Sequence, residues 1–384
     1  MSAGTAAKLD RVDGELEAED HAIIQAMNGR SVTITGSARF EGSVEVECDL
    51  ECGSLESTDG IARINGSLVS HQWVDVDDAL YVKGNLKSAK IEVGGRLSVG
   101  GALEAETAEV GGSLEVQGDA LVGSVEVGGS FEVRGTARLK EFDVGGRVTL
   151  EGGEVTGRAE VGGTLISRKP LKFGEIDVGG TIELLGGEGE SVQVGGSLRT
   201  AGGFNCRRIE VGGVLEAEGN LAGHEAEVGG TFRVTGSVAL DGRLEVGGVV
   251  DVGKVLSAAR LEVGGSFRAA KAVVAGGAEV GGNLETTEGL KAESVEIGTG
   301  ASCYGVIVGA AVHIERSSKV QDVFCARLEA ERGARMGSVF AQSVRLDDDC
   351  AVGRIVYTRE LTEGSRVSHQ APSQKVDSLP PFPL

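Results

Sequence analysis

The chain has 384 residues, with 63 glycines, 5 prolines, 4% aromatic residues and 40% hydrophobic residues. Glycine does not recur at every third position, and the apolar fraction suffices for a long, thin core, so neither a collagen helix nor a disordered polymer is expected. With 37 Lys and Arg against 58 Asp and Glu the formal charge is −21, which disfavours nucleic acid and anionic membrane as partners.

Residues 1–30 read as a polar, acidic N-terminal tail without an apolar h-region, so no secretory leader is expected. Within it, Asp13 to Asn28 is predicted to form a short helix with Ile23, Ile24 and Met27 on one side. No stretch approaches the ~18 consecutive apolar residues of a membrane span. Residues 31–91 read as irregular β-coils. SVTITGSARFEGSVEVE from Ser31 and the run around Ile64-Asn65-Gly66-Ser67-Leu68 alternate apolar and polar residues between glycines. Val76-Asp77-Asp78-Ala79-Leu80 lies seventeen positions before Val93 and keeps the phase of the later coils.

Residues 92–297 carry a strict repeat. The tripeptide V-G-G begins at Val93, Val110, Val127, Val144, Val161, Val178, Val194, Val211, Val228, Val246, Val263 and Val280, a period of seventeen with a drift of at most one. Two residues before each Val, and four after it, stands an apolar residue. Period-2 alternation on both sides of a Gly-Gly break means short strands meeting at a corner. A seventeen-residue unit is too short for a propeller blade and lacks the helix of a leucine-rich repeat. It fits one coil of a parallel β-helix with about three short strands. Each residue then stacks ~4.8 Å above its equivalent, and identical apolar columns build one continuous core. Residues 298–367 continue with an altered template and a slightly shorter period: VHIERSSKV from Val312, LEAERGARM from Leu328, VRLDDDCAV from Val344 and RELTEGSRV from Arg359. Residues 368–384 end in DSLPPFPL, a Pro-containing tail predicted not to continue a sheet. The fold class is therefore all-β: a single long parallel β-helix with short disordered tails. Roughly twenty coils from Ser31 to Val367 would stack to about 95 Å.

Two outward columns carry charge. Five residues after each Val, the sequence reads Glu183, Arg199, Glu216, Arg233, Asp251, Arg268, Glu285, a ladder of alternating sign. Each stacked pair of opposite sign contributes about 0.2–1 kcal/mol. One residue before each Val stands an acid in eleven of twelve copies, with Gln193 the exception. Stacked like charges cost a little under ~1 kcal/mol per pair before screening. That column reads as a solvated stripe suited to a salty cytoplasm, with a cation- or partner-binding stripe as the sharper alternative.

Little points to catalysis. A coil length that drifts by no more than one residue leaves no room for the inserted loops that carry active sites. The histidines (His21, His71, His224, His313, His369) share no column and no ligand spacing. Cys48 and Cys52 lack a second pair for zinc, and Cys206, Cys303, Cys325 and Cys350 read as small apolar residues in or near the core. No Gly-Lys-Ser/Thr follows any Gly pair, so no phosphate loop is present. The chain is expected not to be an enzyme and to need no catalytic residue, cofactor, metal or nucleotide.

The Gly-rich stacked coils EGSVEVE, NGSLVS, VKGNLKSAKIEVGG and EVGGSLEV, and the late segment AVGRIVYTRELTEGSRV, resemble the bactofilins, the polymer-forming cytoskeletal family. The resemblance covers residues 31–367. It implies a right-handed triangular β-helix, nucleotide-independent assembly into non-polar filaments, and a role in cell shape or in positioning other proteins. It implies a cytoplasmic location, free or membrane-proximal, and as partners the chain itself and other cytoskeletal or membrane-associated proteins. The acidic, Lys-poor composition, with 12 Lys among 37 basic residues, suits a haloarchaeal member. The chain departs from the family in its two- to threefold greater length and in the strictness of its V-G-G unit. End-to-end contact is expected at Val32, Ile34 and Phe40 on one end and at Phe340, Ile355, Val356 and Tyr357 on the other. The alternative is a monomeric β-helical module with an adhesin-like or partner-binding surface.

Overall fold

The computed structural model describes residues 1–382, and every regular element among them is a β-strand. The chain divides into two compact units, Met1–Glu190 and Ser191–Leu384. Each is a parallel β-solenoid whose regular coils are seventeen residues long.

A single coil of the first unit shows why. Ser113–Val116 is followed by Ala120–Val127, and alternate residues of both strands point inward. Leu114, Val116, Ala120, Val122, Val125 and Val127 are all buried. The alternation changes phase at Gly123–Ser124, where the second strand bends. With corners at Gln117–Asp119 and Gly128–Gly129, the coil has three faces with two core side chains on each. Coils stack in register. In the first unit Leu97, Leu114, Phe131, Val148, Leu165 and Ile182 form one column. In the second, Leu198, Leu215, Phe232, Val250, Phe267, Leu284, Cys303, Val320, Met336 and Val352 do the same. Each large apolar side chain in such a column contributes about 1.5–3 kcal/mol by leaving water.

The V-G-G glycines are required by the coil beneath them and not by an unusual φ. A Cβ on Gly128 would lie 2.2 Å from the carbonyl oxygen of Gly111, and one on Gly111 would lie 2.1 Å from that of Gly94. The corner closes its own hydrogen bonds between coils: Gly111 N–H donates to Val93 O at 2.9 Å and Gly128 N–H to Val110 O at 3.0 Å. In the less regular coils the corner takes a different form. His21, Gly42 and Asp59, and later Gly300, Ser317, Gly333, Asp349 and Arg366, adopt positive φ. A left-handed residue turns the chain there, where the Gly pair does so elsewhere.

A second corner uses side chains that the sequence pattern does not flag. Asn85 Oδ1 accepts from Ala102 N–H at 2.8 Å, and Asp119 Oδ1 from Thr136 N–H at 2.7 Å. Asp49 and Asn220 do the same for Ser67 and Ser237. Each carboxylate or amide reaches up one coil, and Ser67 Oγ, on the coil between Asp49 and Asn85, likewise accepts from Asn85 N–H at 3.2 Å.

The ends differ from expectation. Residues 1–30 are not a tail and contain no helix. Ala6–Leu9 pairs with Ile23–Ala26, Arg11–Val12 with Thr33–Ile34, and Leu16–Ala18 with Ala38–Phe40. Leu16, Ala18, Ala22 and Ile24 are buried, whereas Met27, on the apolar side of the expected helix, is 67% exposed. Stacking on the next coils buries a period-2 set that no isolated helix could bury, and Gly14 and Gly29 turn the chain at positive φ. Residues 368–384 also add strands: Ser368–His369 and Gln374–Lys375 pair with Ala351–Glu363, with Pro372 between them. Residues 383 and 384 of that expected tail lie outside the described residues.

Gly128→Ala should lower the unfolding free energy by about 1–3 kcal/mol, because the added methyl forces two coils apart. Ser130→Ala, two residues on at an exposed strand position, should stay within about 0.5 kcal/mol. Chemical denaturation monitored by circular dichroism measures both, and equal effects would remove the carbonyl contact as the reason for the glycine.

Candidate functional site

The outward columns are the most regular chemical feature of the surface. Of the alternating ladder, Glu183 is exposed in the first unit, on Thr181–Leu184, and the other six residues lie in the second. There Arg199 Nε meets Glu216 Oε2 at 3.0 Å, and Arg233 Nη1 meets Glu216 Oε1 at 3.2 Å. Arg233 reaches Asp251 at 3.7 Å, and Arg268 bonds Glu285 at 2.8 Å. Glu285 heads the causes that hold the Arg268 guanidinium above its usual pKa. These pairs are solvent-exposed, so each is a register mark more than a large stabiliser.

The acidic column stacks as the spacing requires. Glu92, Glu109, Glu126, Asp143, Glu160 and Asp177 are in register in the first unit. Glu210, Glu227, Glu245, Glu262, Glu279 and Glu296 are in register in the second. Relief comes from arginines and a lysine two residues upstream in the same strands. Lys90 pairs with Glu92, and Arg158 bridges Glu160 at 3.4 Å and Asp177 at 3.2 Å. Arg243 bridges Glu245 and Glu262, and Arg260 also meets Glu262. Burial opposes ionisation of Glu262, but Arg243 and Arg260 outweigh it and hold the carboxyl below its usual range. At Asp75 the balance reverses: burial first, then the charges of Glu92, Asp77 and Glu56, push it up against the smaller pull of Lys90.

The compensating position is not always cationic: it is Thr107, Ser124 and Glu141 in the first unit and Gly277, Ser294 and Ala311 in the second, where all three residues are small. Gly277, Ser294 and Ala311 stand where Arg243 and Arg260 stand in the preceding coils. The missing side chains leave a groove of about 250 Å³ along Glu279, Glu296 and His313, between Arg260 at one end and Arg327 at the other. Glu279 and Glu296 form no ion pair among the described residues.

The expected end contacts are placed unequally. Val32, Ile34 and Phe40 are 0–1% exposed on Ser31–Glu41, between residues 11–18 below and Asp49–Thr58 above. They are interior, because residues 1–30 form coils beneath them. The first unit's outer edge is instead Ala6–Leu9, Arg11–Val12 and Leu16–Ala18, each pairing with later strands on one side only among the described residues. Ala7, Leu9 and Val12 are half-buried there, within a rim of Lys8, Asp10, Arg11, Asp13 and Glu15. At the other end Ile355 points inward and is fully buried. Phe340 and Val356 are in register, and Val356 and Tyr357 carry Gln374 and Lys375 above them. Sequence reasoning missed that Phe324 and Phe340 stack, with ring centroids 4.6 Å apart and planes 9° apart. The available signal was a pair of phenylalanines separated by one coil of the late template.

Among the described residues, no group of three His, Cys, Asp or Glu could hold a metal. Each histidine sits against a carboxylate, as in His71 with Glu51 at 2.9 Å and His224 with Asp241 at 2.6 Å. All six cysteines are free and buried. Burial pushes the thiols of Cys52, Cys303 and Cys325 up to about 12, which leaves them protonated and unreactive at neutral pH. No helix among the described residues is long and apolar enough to cross a membrane. Compared with known proteins, the chain matches no family model, no curated protein and no solved structure.

Two measurements check these assignments. Glu279→Gln should raise the thermal midpoint in low salt, by relief of about 1 kcal/mol of repulsion with Glu296, and the gain should fade in molar salt. A gain independent of salt would mean that charge is not its cause. A thiol-reactive dye should label none of the six cysteines in the native protein within the time that labels all six in denaturant.

Proposed function

We propose that the chain is a non-enzymatic structural scaffold, of the bactofilin kind, that joins copies of itself end to end without nucleotide. The observation that carries this reading is the outer edge of the first unit. Along Ala6–Leu9 and Arg11–Val12, backbone donors and acceptors face outward without a partner strand, beside the half-buried Ala7, Leu9 and Val12, whereas Met1 covers Leu16–Ala18 by bonding Glu17 O and Glu19 N–H. An unpaired edge of this kind is satisfied by another chain unless it is blunted. A closed contact between identical edges gives a dimer, and contacts at two edges give a filament. The charged columns then serve register and solubility along the sides, and the buried core leaves no chemistry to perform. A cytoplasmic role in cell shape or in positioning other proteins follows from the family resemblance.

A second reading rests on the groove at Gly277, Ser294 and Ala311. Its uncompensated Glu279 and Glu296 would suit a monomeric module that holds a cationic partner on its side.

Negative-stain electron microscopy of the full-length protein, in low and in molar salt with no nucleotide, separates the two. Filaments are expected, and Leu9→Glu with Val12→Glu should shorten or abolish them while leaving the circular dichroism spectrum unchanged. Single particles under all conditions would overturn assembly and leave the side groove as the place to look.

A further inference from the structure

We propose that the segment Asp377–Phe382 is a strap that occludes an association surface on the late coils of the second unit, and that the partner this surface takes when the strap lifts is a second copy of the chain. The inference deepens the self-assembly reading and rests on it.

The surface is an outward column unlike those before it. Val308, Phe324, Phe340 and Val356 stack in register on four successive coils. Each lies between inward neighbours, as Phe324 does between the buried Val323 and Cys325. One coil earlier the same position is Lys291, with Val273 before it, so the unbroken apolar run begins at Val308. Two stacked phenylalanines on an outer face, in a chain that is 4% aromatic, form a patch that water disfavours.

The chain's own C-terminal segment covers it. After Arg366 the backbone crosses the edge of Ala351–Glu363. His369 Nε2 meets Glu363 Oε1 at 2.9 Å, Arg354 Nη2 donates to Gln374 Oε1 at 3.1 Å, and Val376 N–H donates to Tyr357 O at 2.9 Å. The segment then turns back along the outside, past Arg359, Thr358 and Gln342. Phe382 ends edge-on against Phe324, with centroids 6.1 Å apart and planes at 69°. Pro380 and Pro381 hold the approach extended, which lowers the entropy lost on docking.

The strap is held lightly. Phe382 remains 43% exposed, and a gap of about 580 Å³ stays open between the segment and Gln342, Thr358 and Arg359. What it guards is an edge as well as a face. Ser368–His369 and Gln374–Lys375 pair with residues 351–352 and 356–357 only. Lifting the strap loosens this partial cover and bares Phe324 and Phe340 beside a strand edge. A second copy offers both matching features, since an isologous contact pairs like with like.

The test is sedimentation velocity on the full-length protein, on Phe382→Ala, and on a chain ending at Val376. Both variants should associate about tenfold more strongly, the factor that one aromatic pair at the upper end of its range corresponds to. A synthetic peptide of residues 372–384 added in excess should reverse the gain. Unchanged association in both variants would overturn the strap even if the parent associates through the edge of its first unit. Discrete dimers of the variants without filaments would uphold the strap and count against the filament reading alone. A gain that the peptide does not reverse would overturn the assignment of Phe324 and Phe340 as the strap's seat. Matching circular dichroism spectra exclude a folding defect as the cause.

Discussion

The contact on which everything else depends is a backbone carbonyl pressed against the Cα of the residue one coil above. At the V-G-G corner that approach leaves no space for a Cβ: the nearest oxygen would be 2.1–2.7 Å away in coil after coil. The close approach fixes the coil spacing, and the spacing in turn fixes the registers of the apolar columns. A coil longer or shorter by one residue must absorb the change at a bulge. It does so between Leu139 and Phe142, between Val252 and Val255, and between Ala269 and Lys271, without moving the corner.

Stacking also sets the electrostatics. A side chain that faces outward sees its equivalents one coil away on either side, so the sign pattern along a column decides whether the column helps or hurts. The alternating column gains from every neighbour. The acidic one accumulates repulsion, and cations two positions upstream cancel much of it, as Arg158 and Arg243 do by bridging successive coils. Where the bridging cation is replaced by Gly277, Ser294 and Ala311, the surface is both concave and uncompensated. Shape and charge change together there because one side chain had supplied both bulk and charge.

The solenoid was legible in the sequence because its strictest constraint falls on glycine, which leaves a visible mark once in every coil. The apolar columns through Leu114 and Leu215 follow from the same count. Residues 1–30 were not legible for the complementary reason. Their corners use single left-handed residues such as His21, and their core positions Leu16, Ala18, Ala22 and Ile24 carry no repeat anchor. Taken alone, Ile23, Ile24 and Met27 suit a helix better than a strand, and only the coils above decide otherwise. The edge of the first unit was misplaced with them, which moved Val32, Ile34 and Phe40 from an expected surface into the core. The outward phenylalanines were hidden differently. Val323-Phe324-Cys325 is an unbroken apolar run, and such a run does not say which of its residues turns away from the core.

The corner acceptors tie the stack together a second time. Asp49, Asn85 and Asp119 each reach upward to the backbone N–H of Ser67, Ala102 and Thr136, and Ser67 Oγ in turn accepts from Asn85 N–H. From Asp49 to Ala102 every step of that corner has a side-chain acceptor beneath a backbone donor. The relay lapses at Ala102, whose methyl offers nothing to Asp119. Removal of the coil that carries Ala102 would set Asn85 beneath Asp119 and place an oxygen under its N–H. This corner therefore tolerates the loss of a single coil wherever the residue that arrives below still carries an acceptor.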